Sequence, residues 1–165
     1  MNTETDDQVD KLLSSAAASV DSPNHDGASA PVQTLQAACD VLVADDAGLS
    51  RELLITILRS FNRDLRIREA RDGESAVKLY TTLRPHVTLL DIDMPGIDGI
   101  AAMHRIREMD AKAFVGIVSG SSSAANVKAA LQGGANAFVV KPFMPQRIID
   151  LLQRFEKATG RSLAG

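Results

Sequence analysis

Short apolar runs alternate with amphipathic stretches in a regular beat, and nothing else in this chain so narrows what it can fold into. Val41–Ala44, Leu65–Ala70, Val87–Leu90, Phe114–Val118 and Ala137–Val140 read as strands. Between and after them lie predicted helices at Leu49–Phe61, Gly73–Leu83, about Ile100–Glu108, Ala124–Gln132 and about Pro145–Lys157. Leu53, Leu54, Ile57, Leu58 and Phe61 would form the apolar face of the first helix, and Ile148, Leu151, Leu152 and Phe155 that of the last. The second helix must stop before Pro85, because a residue preceding proline resists helical geometry, and Gly133-Gly134 suits a helix end. Five βα units joined by short links imply an α/β fold: a doubly wound parallel sheet with helices on both faces, each crossover right-handed. The unbroken runs Val87–Leu90 and Phe114–Val118 belong at the sheet centre, whereas Leu65 and Ile67 alternate with Arg66 and Arg68 as in a half-exposed edge strand.

The chain has 165 residues, 45% of them hydrophobic and 24% charged, enough for one domain with a real core. Charge is distributed unevenly. Residues 1–34 hold six acidic groups against Lys11, a net of −5, and the remainder from Leu35 carries +2. Rich in Ser, Ala and Asp, with Pro23 and Pro31, this first segment has little apolar surface to offset the entropy of ordering and reads as a disordered acidic tail. Within it Val9, Leu12, Leu13, Ala16 and Val20 fall at helical spacing, but isolated short helices are marginal in water. Residues 35–165 are expected to form the folded domain. No apolar stretch reaches the length of a membrane span, and no basic patch points to nucleic acid. The lone Cys39 and the absence of a signal-like start fit a cytoplasmic protein.

In open parallel sheets ligands bind beyond the carboxyl ends of the strands. Asp45, Asp46, Asp91, Ser119 and Lys141 all follow strand ends on that side, so the topology brings them together although sequence does not. Crowded carboxylates repel one another unless a cation neutralises them, and Mg²⁺, which takes oxygen ligands and keeps several waters, is the expected ion. Asp46 and Asp91 are assigned as its side-chain ligands, with Asp45 acting through water. A carboxylate can also attack a phosphoryl group, after which catalysis is mainly positioning and charge stabilisation. One phosphoryl oxygen would go to the metal, one to Lys141 and one to the Ser119 hydroxyl.

The segment D-I-D-M-P-G-I-D-G from Asp91 to Gly99, together with Asp45-Asp46, V-S-G at Val118–Gly120 and Lys141-Pro142-Phe143, resembles the receiver domain of two-component response regulators over about residues 39–158. That resemblance implies a flavodoxin-like (βα)5 sandwich with strand order 2-1-3-4-5, an order the family itself exemplifies. It implies that Asp91 is the phosphoacceptor, receiving its group from a phosphohistidine on a histidine kinase or histidine phosphotransfer protein. It places Mg²⁺ on Asp46, Asp91 and the main-chain carbonyl of Asp93. Ser119 and Phe138 match the family's switch pair, the hydroxyl moving to the phosphoryl oxygen and the aromatic ring swinging in behind it. Phe138 stands where a tyrosine would carry a hydroxyl. Lys141-Pro142 matches the family's cis peptide, and the resemblance makes the side chains of Asp93 and Ser121 candidates for tuning water access and so the lifetime of the phosphorylated state.

Two other readings compete. A metal-dependent phosphatase with an aspartate nucleophile is suggested by the D-x-D at Asp91 and Asp93, but haloacid-dehalogenase-like enzymes carry that pattern after their first strand, whereas here it follows the third. A receiver that no longer takes phosphate is disfavoured by the intact Asp46, Asp91, Ser119 and Lys141. His25, His86 and His104 sit in no arrangement suggesting a kinase or a transfer helix. Few residues follow the last helix, so output is expected through the receiver surface, the tail or onward phosphotransfer to a downstream protein.

Overall fold

A computed structural model describes residues 40–164; the expected tail, its short amphipathic patch and Cys39 lie outside them. The elements are β1 (Val41–Ala44), α1 (Gly48–Phe61), β2 (Ile67–Ala70), α2 (Gly73–Leu83), β3 (Val87–Leu90), α3 (Gly99–Met109), β4 (Phe114–Ser119), α4 (Ala124–Gln132), β5 (Ala137–Val140) and α5 (Pro145–Thr159). The five strands form one parallel sheet in the order β2-β1-β3-β4-β5, as expected for the flavodoxin-like fold. No helix among the described residues is long and apolar enough to cross a membrane.

Side chains alternate faces along a strand, so each apolar run supplies two cores. Val41 and Val43 of β1 join Val87, Leu89 and Val118 beneath α1 and α5, packing on Leu54, Ile57, Leu58, Ile148, Leu151, Leu152 and Phe155. Leu42 and Ala44 point the other way, with Leu90, Val115 and Ile117, onto Tyr80, Met103, Ile106 and Ala130 of α2, α3 and α4. This is why the central strands read as continuous rather than alternating runs.

Helix starts follow capping chemistry. Asp72, Asp98 and Ser123 accept hydrogen bonds from the main-chain N–H groups of Ser75, Ala101 and Asn126, and Pro145 occupies the first turn of α5.

Three local expectations change. Strand β2 begins at Ile67, not Leu65, because the Arg66 N–H is drawn off the ladder by the Asp40 carboxylate at 2.9 Å, and the Leu65 N–H closes a turn onto the Asn62 carbonyl. Leu53 does not belong to the buried face of α1: it is 50% exposed, and Phe61 is only half-buried. Buried Arg51 takes a place on that face instead, one turn before Leu54 and two before Leu58. Strand β4 extends through Ser119, which pairs with Val140.

Candidate functional site

The main chain places the site by adding one rung beyond each strand. Asp45 N–H donates to the Ala70 carbonyl at 3.1 Å, Asp91 N–H to Ala44 at 2.9 Å, and Lys141 N–H to Ser119 at 3.0 Å. Each residue is therefore anchored to a neighbouring strand, and all stand at the carboxyl edge. The Gly99 N–H bonds the Ile92 carbonyl at 3.0 Å, bringing α3 so close that a Cβ on Gly99 would lie 1.9 Å from the Asp91 carbonyl oxygen. Glycine is required there by contact, which gives the Asp98-Gly99 pair a structural duty: Asp98 caps α3 and Gly99 lets the helix approach the Asp91 backbone.

Asp45, Asp46 and Asp91 each offer a carboxylate oxygen, and those oxygens all lie within 4.8 Å of one another. Asp45 is fully buried, and both its oxygens are engaged: Oδ1 accepts from the Ala47 N–H at 2.9 Å, and Oδ2 from Lys141 Nζ at 2.5 Å. Lys141 Nζ also donates to Asp91 Oδ2 at 3.1 Å, so one ammonium bridges two carboxylates. Burial pulls the Lys141 pKa down, but the hydrogen bonds to Asp45 and then Asp91 outweigh it and hold the pKa above the ordinary lysine value. Asp46 is exposed, and its carboxylate has no hydrogen-bond partner among the described residues. An all-oxygen set with one free carboxylate at the rim suits a hard divalent cation such as Mg²⁺.

Ser119 is fully buried, and its Oγ accepts from the Ser121 N–H at 3.2 Å. The Asp93 N–H donates to Asp91 Oδ1 at 3.3 Å, while the Ser121 hydroxyl donates to the exposed Asp93 carboxylate. Asn126 of α4 donates to the Ser121 carbonyl at 3.1 Å. Phe138 is half-buried on β5 at the margin of the second core, with Val140 two residues on at 45% exposure. The Lys141–Pro142 peptide is cis.

Arg51 and Glu69 escaped the sequence reading. Arg51 Nη1 donates to the Asp45 carbonyl at 2.8 Å and to the Asp46 carbonyl at 3.5 Å, while its Nε pairs with Glu69 Oε2 at 3.0 Å. One signal was available: Arg51, Leu54 and Leu58 share a helix face at spacings of three and four, putting a cation on an apolar face just after an acidic pair.

Fold and site together define a flavodoxin-like α/β protein with an acidic pocket and a lysine at the carboxyl edge of its sheet. The chain belongs to the response regulator receiver domain family, whose model matches residues 41–153. It is 35% identical to the chemotaxis protein CheY of Thermotoga maritima over 117 residues, covering 71% of this chain and 97% of that protein. Identity to CheY of Bacillus subtilis is 33% over 114 residues, covering 69% and 94%. Among solved structures, the receiver domain of the response regulator NarL from Mycobacterium tuberculosis superposes with a TM-score of 0.64 at 32% identity, covering 75% of this chain and 98% of that one. A CheX–CheY–BeF3–Mg complex from Borrelia burgdorferi gives a TM-score of 0.60 at 32% identity, covering 73% and 88%. This chain is a CheY-type receiver domain of two-component signal transduction.

Proposed function

We propose that Asp91 accepts a phosphoryl group from a partner phosphohistidine in a Mg²⁺-dependent reaction. The observation that carries this reading is the Lys141 ammonium shared by Asp45 and Asp91, with the oxygens of Asp46 close by and unpartnered among the described residues. In the transfer a carboxylate oxygen of Asp91 forms the new O–P bond as the N–P bond of the donor breaks, and the imidazole nitrogen keeps that electron pair. Asp46, Asp91 and the Asp93 carbonyl would hold Mg²⁺, with Asp45 acting through water, and the ion when bound supplies charge stabilisation for the phosphoryl oxygens. Lys141 exchanges its bond to Asp91 Oδ2 for one to a phosphoryl oxygen. Ser119 gives up the Ser121 N–H and turns its hydroxyl to the same group, and half-buried Phe138 moves into the space behind it. The changed surface around β5, α4 and α5 is offered to a downstream protein, or the phosphate passes on to another histidine. The histidine kinase or histidine phosphotransfer protein supplies the group, and the chain acts on itself rather than turning over a substrate. Onward from residue 35 this is the receiver; residues 1–34 form its acidic extension, and the cytoplasm is the compartment that suits it.

The test is amide NMR of the full chain with Mg²⁺ and beryllofluoride, an acyl-phosphate mimic. Saturable shifts around Asp91, Ser119 and Phe138 are expected at one equivalent per chain, and none in Asp91→Asn. No response in wild type, or an equal one in Asp91→Asn, overturns the reading; many turnovers of an excess phosphomonoester would make the protein a phosphatase.

A further inference from the structure

We propose that Arg51 is the positioning residue of the acidic pocket, and that Glu69 in turn fixes Arg51. The inference rests on the Mg²⁺-binding reading above. Asp46 is the exposed member of the carboxylate cluster and has no side-chain partner among the described residues, so only its main chain can aim it. That main chain lies between the last rung of β1 and the first hydrogen bond of α1, Arg51 N–H to the Ala47 carbonyl at 3.1 Å. The carbonyls of Asp45 and Asp46 therefore stand outside both ladders, and among the described residues no main-chain N–H reaches either. Arg51 Nη1 serves both, at 2.8 and 3.5 Å.

The guanidinium is itself held. Arg51 is only 8% exposed, and Glu69, at the pocket end of edge strand β2, grips Nε at 3.0 Å. A planar fork satisfies both directions at once, which a lysine ammonium in the same place does not. Arg51 touches none of the three carboxylates through a hydrogen bond. Its effect on them runs through the peptide planes of Asp45 and Asp46, together with a fixed positive charge behind a cluster of negative ones. A chain of this kind, acceptor strand to guanidinium to main chain to ligand, is how outer groups orient metal ligands elsewhere, where their loss typically lowers metal affinity about 10- to 100-fold.

Titration of the full-length chain with MgCl2 by calorimetry tests the assignment. Arg51→Ala is expected to weaken Mg²⁺ binding about 10-fold, and Arg51→Lys, which keeps the charge but not the fork, to fall between it and wild type. Glu69→Gln is expected to cost about threefold, less than the roughly 10- to 100-fold typical of outer groups that touch a ligand directly, because Glu69 acts only through Arg51. Asp40→Asn, at the opposite end of β1, is the control for a general loss of stability and should leave the affinity unchanged. A folded Arg51→Ala that binds Mg²⁺ as wild type does overturns the proposal; if that variant does not fold, unchanged affinity in Glu69→Gln, whose side chain is 48% exposed, overturns it equally. Failure of wild type to bind Mg²⁺ would instead remove the acceptor reading and this one with it.

Discussion

Asp40 and Asp45 bracket β1, and their surroundings differ: Asp45 shares Lys141 with Asp91, whereas Asp40 meets the guanidinium of Arg66. Arg66 Nη2 donates to Asp40 Oδ1 at 2.6 Å and Nε to Oδ2 at 2.9 Å, a bidentate pair, and His86 Nδ1 lies 3.5 Å from Oδ1. The Arg66 side-chain hydrogen bonds hold the Asp40 pKa below the ordinary aspartate value, against the opposing effect of burial. A carboxyl whose folded pKa is depressed adds stability that is present above its unfolded pKa and lost as pH falls through the folded one. Asp40→Asn is therefore expected to destabilise the domain by about 1–2 kcal/mol at pH 7, a charge-assisted bond discounted for the half-exposed Arg66. The difference from wild type should shrink below about pH 4, where the unfolded carboxyl begins to protonate. Urea unfolding at pH 7 and pH 3 checks this; a gap that stays constant would contradict it.

The faces of α1 and α5 decide which of their leucines matter. Leu152 is fully buried between α5 and the sheet, so Leu152→Ala removes apolar contacts and leaves a cavity at an expected cost of about 2–5 kcal/mol. Leu53, drawn into the same kind of stripe by its spacing, is half-exposed, and Leu53→Ala should change stability by no more than about 0.5 kcal/mol. Denaturant midpoints of the two variants separate the cases, and equal losses would mean that the face of α1 is placed wrongly. Helical spacing marks a stripe wider than the surface the sheet can cover. On α1 that stripe runs from Leu53 to Phe61, and β1 and α5 cover mainly the part through Leu54, Ile57 and Leu58. Arg51 lies on the covered part because its hydrogen-bond acceptors are there, a reason no periodicity contains.

For the whole molecule, a ligand that binds only the folded state stabilises it by mass action. At about 100 times its dissociation constant, Mg²⁺ should add about 2.7 kcal/mol, which for a domain of this size raises the unfolding midpoint by roughly 10 °C. Thermal unfolding in EDTA and in MgCl2 measures the shift. Asp46→Asn, which removes the free carboxylate of the pocket, should lose most of it, and an undiminished shift would place the ion elsewhere.

The amino-acid sequence by itself determined the number and order of the βα units, since each strand and helix is written in a local pattern of apolar residues. It also determined that Asp45, Asp46, Asp91, Ser119 and Lys141 share one edge, because parallel strands joined by right-handed crossovers all end on the same side. The motifs around those residues marked the family. Tertiary structure alone decided how the charges are shared: that Asp45 is sealed and saturated while Asp46 is open, that one ammonium serves two carboxylates, and that Asp93 and Ser121 join across two loops. It also decided that Arg51 turns inward to carbonyls from its own chain and a carboxylate on β2. Such choices depend on which donors and acceptors meet at hydrogen-bond distance, and groups as far apart in sequence as Asp45 and Lys141 meet only when the sheet is assembled.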